Sequence, residues 1–305
     1  MQQHARHSHR TTRTTRTTRT ARAALAALSA AAVAAAALVA AAAPAGATPA
    51  PDRYVALGDS YSAGSGILPA DLRAPLACLR STLSYPHVVA DRLDVGVVDV
   101  TCGGAQTADL TSRQYPGVAP QLDAVTADTD LVTLTIGGND NSTFIGALLA
   151  CGSIGALTAG HGNPCERTYG DRFTRQVEES TYPAVRQALE DIRARAPHAR
   201  VAILGYPWIV PQEKGCFAKL PVAAGDVPYL RDLQATLNRV VERAADETGA
   251  TFVDLAERSE GRDACAPAGE RWVEPLLFGT NVVPVHPNAR GESAMADAAL
   301  DALGY

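Results

Sequence analysis

No nucleotide-binding fingerprint follows any candidate strand of this 305-residue chain. The absence of G-x-G-x-x-G and G-x-x-x-x-G-K-[ST] argues against a dinucleotide or nucleoside-triphosphate site. No C-x-x-C spacing occurs among the six cysteines, so neither a zinc ribbon nor a thiol redox motif is indicated. Acidic residues are missing from the first fifty positions, and no basic patch occurs after them. Removing residues 1–50 takes away six arginines from a chain with 27 Lys+Arg and 32 Asp+Glu, which leaves a net charge of about −11. That is a poor surface for nucleic acid, and no nucleic-acid partner is expected. It favours solubility outside the cell. After the apolar run at 23–43 there is no second long one, so the remainder is expected to be soluble.

What stands at the N-terminus has a simple reading. Residues 1–22 are basic and rich in a TTR repeat, 23–43 are almost pure Ala/Leu/Val, and "PAGATPAPD" follows. A basic segment, an apolar segment and small residues at a cleavage site make a secretory signal peptide, with cleavage expected after Ala47, or second after Ala50. The apolar run is long enough to span a bilayer, but the small-residue sites directly after it favour export. Residues 1–50 are therefore read as a processing segment and 51–305 as a single catalytic domain. Cys78, Cys102, Cys151, Cys165, Cys216 and Cys265 all lie in the exported part. An even number there suggests three disulfides. Sequence alone does not fix their connectivity, and pairing of sequence neighbours is the expectation.

Short apolar runs alternate with helical stretches in the exported part. "YVAL" (54–57), "VGVVDV" (95–100), "LVTLTI" (131–136), "VAILGY" (201–206) and "TFVDL" (251–255) read as buried strands of a mostly parallel sheet. Residues 84–93, 173–195, 228–247 and 290–302 read as helices, the third with Leu230, Leu233, Leu237, Val240, Val241 and Ala244 on one face. The alternation predicts a three-layer α/β/α sandwich. Residues 62–83, 146–172 and 207–227, richer in Gly, Pro and Cys, are expected to be surface loops.

Ligands of open parallel sheets bind beyond the carboxyl ends of the strands, so the residues that follow each strand carry most of the information. "GDSYSAG" follows the first, with Ser60 placed to act as a nucleophile if a base takes its proton; a helix N-cap is the plainer role for it. "TCGGAQT" follows the second, its glycines able to present backbone N–H groups at close approach. "GGNDN" follows the third, and Asn139 could offer an amide to an oxyanion or cap a turn. Of the four histidines after residue 50, His87, His161 and His198 look structural or exposed, whereas His286 in "VPVHPN" enters the last helix.

These four blocks, taken in order, resemble the GDSL or SGNH hydrolase family, and the resemblance covers residues 53 to 305. It is strongest to secreted actinomycete lipases and esterases with three disulfides, which fits the sequential cysteine pairing. Carried over to this chain, it implies that Ser60 is the nucleophile and also an oxyanion N–H donor. It further implies a backbone N–H from Gly104, a side-chain N–H from Asn139, and His286 as the general base. Gly104 is chosen over Gly103 because the family's glycine comes directly before alanine after a cysteine. No metal or other cofactor is required by that scheme. The departure is at Val283, where many family members have an aspartate three residues before the histidine. Either a distant carboxylate such as Asp297 or Asp301 reaches His286, or the backbone carbonyl of Val283 accepts its Nδ1–H; the carbonyl is the favoured reading, which makes a Ser–His dyad.

"TFIGALL" (143–149) and "PLLFGTNVVPV" (275–285) flank the proposed site and could line an acyl groove. A monomeric lipase or esterase for medium- to long-chain acyl esters is the leading expectation, with transient contact to lipid surfaces. Phospholipase A activity is close behind, and an acetyl-carbohydrate esterase is less favoured. From other classes, a non-catalytic secreted binding module would be indifferent to loss of Ser60, and a metal phosphoesterase would need more ligands than Asp59, Asn139, Asp140 and His286.

Overall fold

The computed structural model describes residues 48–305, and Pro49–Tyr305 form one unit. The export segment expected over 1–50 lies almost wholly outside the described residues. The chain enters strand β1 (Tyr54–Gly58), turns through a short helix α1 (Ser60–Ala63), then forms α2 (Tyr85–Leu93) and edge strand β2 (Val97–Asp99). It crosses to β3 (Leu131–Thr135) and continues through α3 (Thr143–Leu157), α4 (Pro164–Tyr169), α5 (Arg172–Gln176) and α6 (Tyr182–Arg195). Strand β4 (Arg200–Leu204), α7 (Val227–Thr248), β5 (Thr251–Val253), α8 (Ala256–Ser259) and α9 (Ala289–Leu303) complete it.

All five strands are parallel, in the order β2-β1-β3-β4-β5. Every residue of the central strands β1 and β3 is buried, which explains why their sequences carry no polar alternation. Helices α2 and α9 pack together, as do α6 and α7, and the sheet lies between helical layers in the α/β/α arrangement expected. The apolar stripe of α7 from Leu230 to Ala244 faces the core. From β1 the chain moves to β2 on one side and then crosses to β3 on the other. The switch point is therefore between β1 and β3, the place where such sheets bind ligands.

Two segments differ from expectation. Residues 143–157 form helix α3 where much of this stretch was expected to be loop, and 164–169 form α4. Gly146, Gly152 and Gly155 weaken local helix propensity by roughly 1 kcal/mol each, which hides α3 in the sequence. At Gly155 the cost secures close packing: a Cβ there would lie 2.3 Å from the Pro221 carbonyl oxygen. The stretch expected as one helix over 173–195 is broken by a π turn, Val177–Thr181. Pro183 in the first turn of α6 has no N–H to give, and the wider turn accommodates that gap.

Disulfides join Cys78 to Cys102, Cys151 to Cys165 and Cys216 to Cys265, pairing sequence neighbours as expected. Each ties a loop or loop-borne helix outside the sheet, and closing a loop of about 15 residues stabilises by about 3 kcal/mol in the chain-entropy account. Among the described residues no helix is long and apolar enough to cross a membrane.

Gly155 gives the first test. Helix propensity alone would make Gly155→Ala stabilising, whereas the contact with Pro221 makes it destabilising by about 2 kcal/mol. Thermal unfolding of the variant is expected to begin several degrees lower, at roughly 2–4 °C per kcal/mol; an unchanged or raised midpoint would contradict the packing.

Candidate active site

Beyond the end of β1 the backbone reverses at Gly58, whose φ of +119° and close approach to Thr135 exclude any side chain. Asp59 comes next and is buried. Its Oδ1 accepts from the Tyr61 N–H at 3.0 Å and the Thr135 hydroxyl at 2.7 Å, and its Oδ2 accepts from the Tyr206 hydroxyl at 2.5 Å. Asp59 is thus the N-cap of α1, the role that local sequence would also have allowed Ser60. Ser60 becomes the first residue of the helix, on the wall of a cavity at the switch point. Burial pushes the Asp59 carboxyl up to about 6, against the pull of its three donors.

The glycine turn after β2 is set by the first disulfide. Gly103 N–H donates to the Cys78 carbonyl at 2.8 Å, and its carbonyl accepts from the Gln114 amide at 2.8 Å. Gly104 follows with a φ of +77°, exposed on the cavity wall. After β3, Asn139 reaches the same cavity and spends one amide N–H on the Ala105 carbonyl at 3.1 Å, rather than capping the turn. An amide carries two such donors, so one remains for a ligand. Asp140 does not enter the cavity. It accepts from the backbone and hydroxyl of Thr107, both at 2.9 Å, and so fastens the asparagine turn to the segment after the glycines.

His286 arrives from the other end of the chain and also lines the cavity. Its Nδ1 lies 2.7 Å from the carbonyl oxygen of Pro284. That corrects the expectation for Val283: the orienting carbonyl is two residues before the histidine, not three. The physical reason is Val285, a β-branched residue held at φ +59°, which folds the chain back so that the Pro284 carbonyl meets the ring. The Val285 carbonyl is fixed by the Tyr61 hydroxyl at 2.9 Å. A carbonyl can only accept, so Nδ1 carries the proton and Nε2 is the free basic nitrogen. Burial lowers the pKa of His286 below the ordinary range, while the Pro284 bond opposes that shift. Asp297 and Asp301 are engaged elsewhere, with Arg92 and Arg258.

The loop that carries His286 is held at three points. Val282 N–H donates to the Gly66 carbonyl, Glu274 N–H to the His286 carbonyl, and Val273 bridges Pro287. Beneath it the buried Arg271–Glu274 ion pair is completed by Thr280 N–H and the Asn288 amide on Glu274. His87, His161 and His198 do not line the cavity. Asp59 and Asp140 have their oxygens filled by N–H and O–H donors, and no His/Cys/Asp/Glu cluster with metal-binding geometry occurs among the described residues.

The cavity has a volume of about 650 Å³ including its open mouth, and its walls are mainly Leu79, Phe144, Ile145, Ile209, Val283 and Val285. Phe144 and Ile145 come from one flank expected to contribute, and Val283 and Val285 from the other. Leu79, Ile209 and Tyr206 were not foreseen. Tyr206 stands in "LGYPW", and because the strand expected over 201–206 ends at Leu204, it lies after β4 and not within it.

Ser60, Gly104, Asn139 and a histidine held by its far nitrogen line one apolar cavity, an arrangement that suits a serine ester hydrolase. Residues 56–294 match the GDSL-like Lipase/Acylhydrolase family, and the chain belongs to it. It is 64% identical to Lipase 2 of Streptomyces coelicolor over 263 residues, 86% of this chain and 88% of that one. It is 31% identical to a lipase of Streptomyces rimosus over 253 residues, 79% and 82% of the two chains. In structure it is similar to phospholipase A1 from Streptomyces albidoflavus (TM-score 0.69, 28% identity, 83% of this chain and 99% of that one). It is likewise similar to the extracellular lipase from Streptomyces rimosus (TM-score 0.67, 28% identity, 81% and 99%). The protein is a carboxylic ester hydrolase, and it is secreted, in keeping with its three closed disulfides.

Burial of the imidazole yields a direct expectation. An NMR titration of the ring carbons should place the His286 midpoint below the ordinary value of about 6.5, because burial disfavours the charged ring. A midpoint at or above that value would contradict the geometry.

Proposed function

We propose that the protein hydrolyses medium- to long-chain acyl esters through an acyl-enzyme formed on Ser60. The observation that carries this reading is the His286 Nδ1 bond to the Pro284 carbonyl, in a ring that shares an apolar cavity with Ser60 and Asn139. In the reaction, Nε2 takes the proton of Ser60 Oγ as the oxygen attacks the ester carbonyl carbon. The C=O electrons move onto oxygen, where the N–H groups of Ser60 and Gly104 and the free amide N–H of Asn139 stabilise the charge. Collapse expels the alcohol, which takes the proton from His286. Water then attacks the acyl carbon with His286 as base, and Ser60 is restored. The Pro284 carbonyl does the geometric part of an aspartate's work, fixing tautomer and ring orientation, but lends less charge to the imidazolium. All the groups used come from one chain, which suits a monomer.

Acyl rather than carbohydrate esters are favoured because six of the wall side chains are aliphatic or phenylalanine and none is charged beyond the site itself. Large apolar side chains also stand exposed on the loops that supply the cavity wall: Leu76 on the Cys78 loop, which brings Leu79, and Phe278 and Val282 on the His286 loop, which brings Val283. Leu79 and Phe278 are held at φ +51° and +62°, left-handed conformations that cost about 1–2 kcal/mol, yet they remain exposed. Exposed apolar side chains on these loops fit transient contact with a lipid surface. A phospholipid acyl ester is a second reading, favoured by the likeness to the phospholipase A1.

Changing Ser60 to alanine should abolish hydrolysis of a panel of aryl esters from acetyl to stearoyl, by at least about 10³-fold, together with labelling by a serine-directed organophosphonate. Asn139→Ala is expected to lower kcat by about 100- to 1000-fold. Retained turnover in the Ser60 variant would sink the mechanism, and the panel with a phospholipid added reads out the substrate.

Replacing Leu76, Phe278 and Val282 together by serine should reduce hydrolysis of an emulsified long-chain triglyceride by at least about tenfold, since each apolar side chain buried in lipid contributes about 1.5–3 kcal/mol. A soluble acetyl ester should be cleaved as before. Equal effects on both substrates would argue against the lipid-contact role.

A further inference from the structure

We propose that Tyr206 is a positioning residue, whose single phenolic hydroxyl sets the spacing between the nucleophile and the side-chain donor of the oxyanion site. This rests on the reading of Ser60 as nucleophile and Asn139 as donor. The hydroxyl donates to Asp59 Oδ2 at 2.5 Å and accepts from the Gly138 N–H at 2.9 Å. Asp59 immediately precedes Ser60, and Gly138 immediately precedes Asn139. One oxygen atom on β4's exit loop therefore joins the two turns that carry the reacting groups.

The link acts where the sheet no longer can. Up to Thr135 the ends of β1 and β3 are held by the Asp59 N–H bond to the Thr135 carbonyl at 2.9 Å. Beyond it the chain leaves the ladder, and the Gly138 N–H is held by the phenol rather than by a strand. The approach is close: a Cβ on Gly138 would lie 3.0 Å from the Tyr206 ring, tighter than an ordinary contact. Directionality is fixed as well. An N–H can only donate, and Asp59 takes in three donors as a carboxylate does, so the phenol accepts from one side and gives to the other.

Tyr206 is itself held rigidly from behind. Its backbone N–H donates to Asn238 Oδ1 at 2.9 Å, and its carbonyl accepts from the Asn238 amide at 3.0 Å. Its ring meets Tyr61 edge-on at a centroid distance of 5.2 Å, and Tyr61 in turn holds the Val285 carbonyl beside His286. An ordinary core tyrosine would satisfy its hydroxyl on one convenient partner. This one is divided between the two turns of the site and also forms part of the cavity wall.

The test compares Tyr206→Phe with the parent on a soluble aryl acetate, with active sites counted by organophosphonate titration so that only folded protein is scored. A positioning role predicts a fall in kcat per titrated site of roughly 10- to 100-fold, with KM held within about twofold and the labelling rate falling in parallel. A purely structural role predicts a lower Tm with kcat per titrated site unchanged, and that result overturns the proposal. Should the phenylalanine variant not fold, Asn238→Ala loosens Tyr206 from outside the cavity: a smaller drop of the same kind supports the proposal, and an unchanged kcat overturns it. Failure of the underlying reading looks different, since the parent would then take no titrant or Ser60→Ala would still turn over.

Discussion

A single buried carboxylate organises the reacting end of the sheet. Asp59 gathers one donor from α1, one from the end of β3 and one from the loop after β4, so three neighbouring strands converge on two oxygen atoms. Burying a carboxyl group is costly unless its oxygens are filled, and here the donors offset a cost that still leaves its pKa raised to about 6. By capping α1, Asp59 also relieves Ser60 of the cap. The first helical residue can then stand at the cavity wall, and the Gly58 turn brings it there without a clash against β3.

The histidine side solves a different problem. His286 has no strand to stand on, and its loop must cross back over the serine side before α9 begins. Rigidity comes from polar groups buried under the loop, chiefly the Arg271–Glu274 pair with its two further donors, and from the close contact of Gly66 with Val283. A buried pair of this kind is a weak source of net stability, and its part here is to tie together the segments whose donors meet on Glu274. With the loop so fixed, a backbone carbonyl suffices to orient the imidazole, and no carboxylate has to be buried next to it. Burial then favours the neutral ring, the form that the proposed role of His286 as base requires.

Outside the sheet the covalent and close-packed features share the same task. The Cys78–Cys102 bond stands next to the glycine turn and presses it against the loop after α1, where a Cβ on Gly103 would approach Ser65 at 3.1 Å. The Cys151–Cys165 bond and the Gly155–Pro221 contact fasten α3, whose first turn supplies Phe144 and Ile145 to the cavity. Walls of the acyl space are thus borne by elements that the sheet does not itself hold.

Much of this was readable along the chain, because buried parallel strands must be continuous apolar runs and functional residues follow directly after them. The runs at 54–57, 95–100 and 131–136 and the segments "GDSYSAG", "CGGA" and "GGND" after them carry both signals, "VPVHPN" is marked by its histidine before the last helix, and the sequential disulfides agree with them. Helix α3 was hidden, since its glycines spoil local propensity and Gly155 serves a close contact with Pro221, 66 residues on. The carbonyl that meets His286 was placed one residue too early, because the φ of Val285 follows from the docking of the whole loop and not from its own preference. Tyr206 went unnoticed for the same kind of reason: its hydroxyl has meaning only once β1, β3 and β4 lie side by side. Local chemistry and periodicity determined which residues could act and which strands would carry them. Only the tertiary structure decided how they are aimed, because aim depends on hydrogen bonds between segments far apart in the chain.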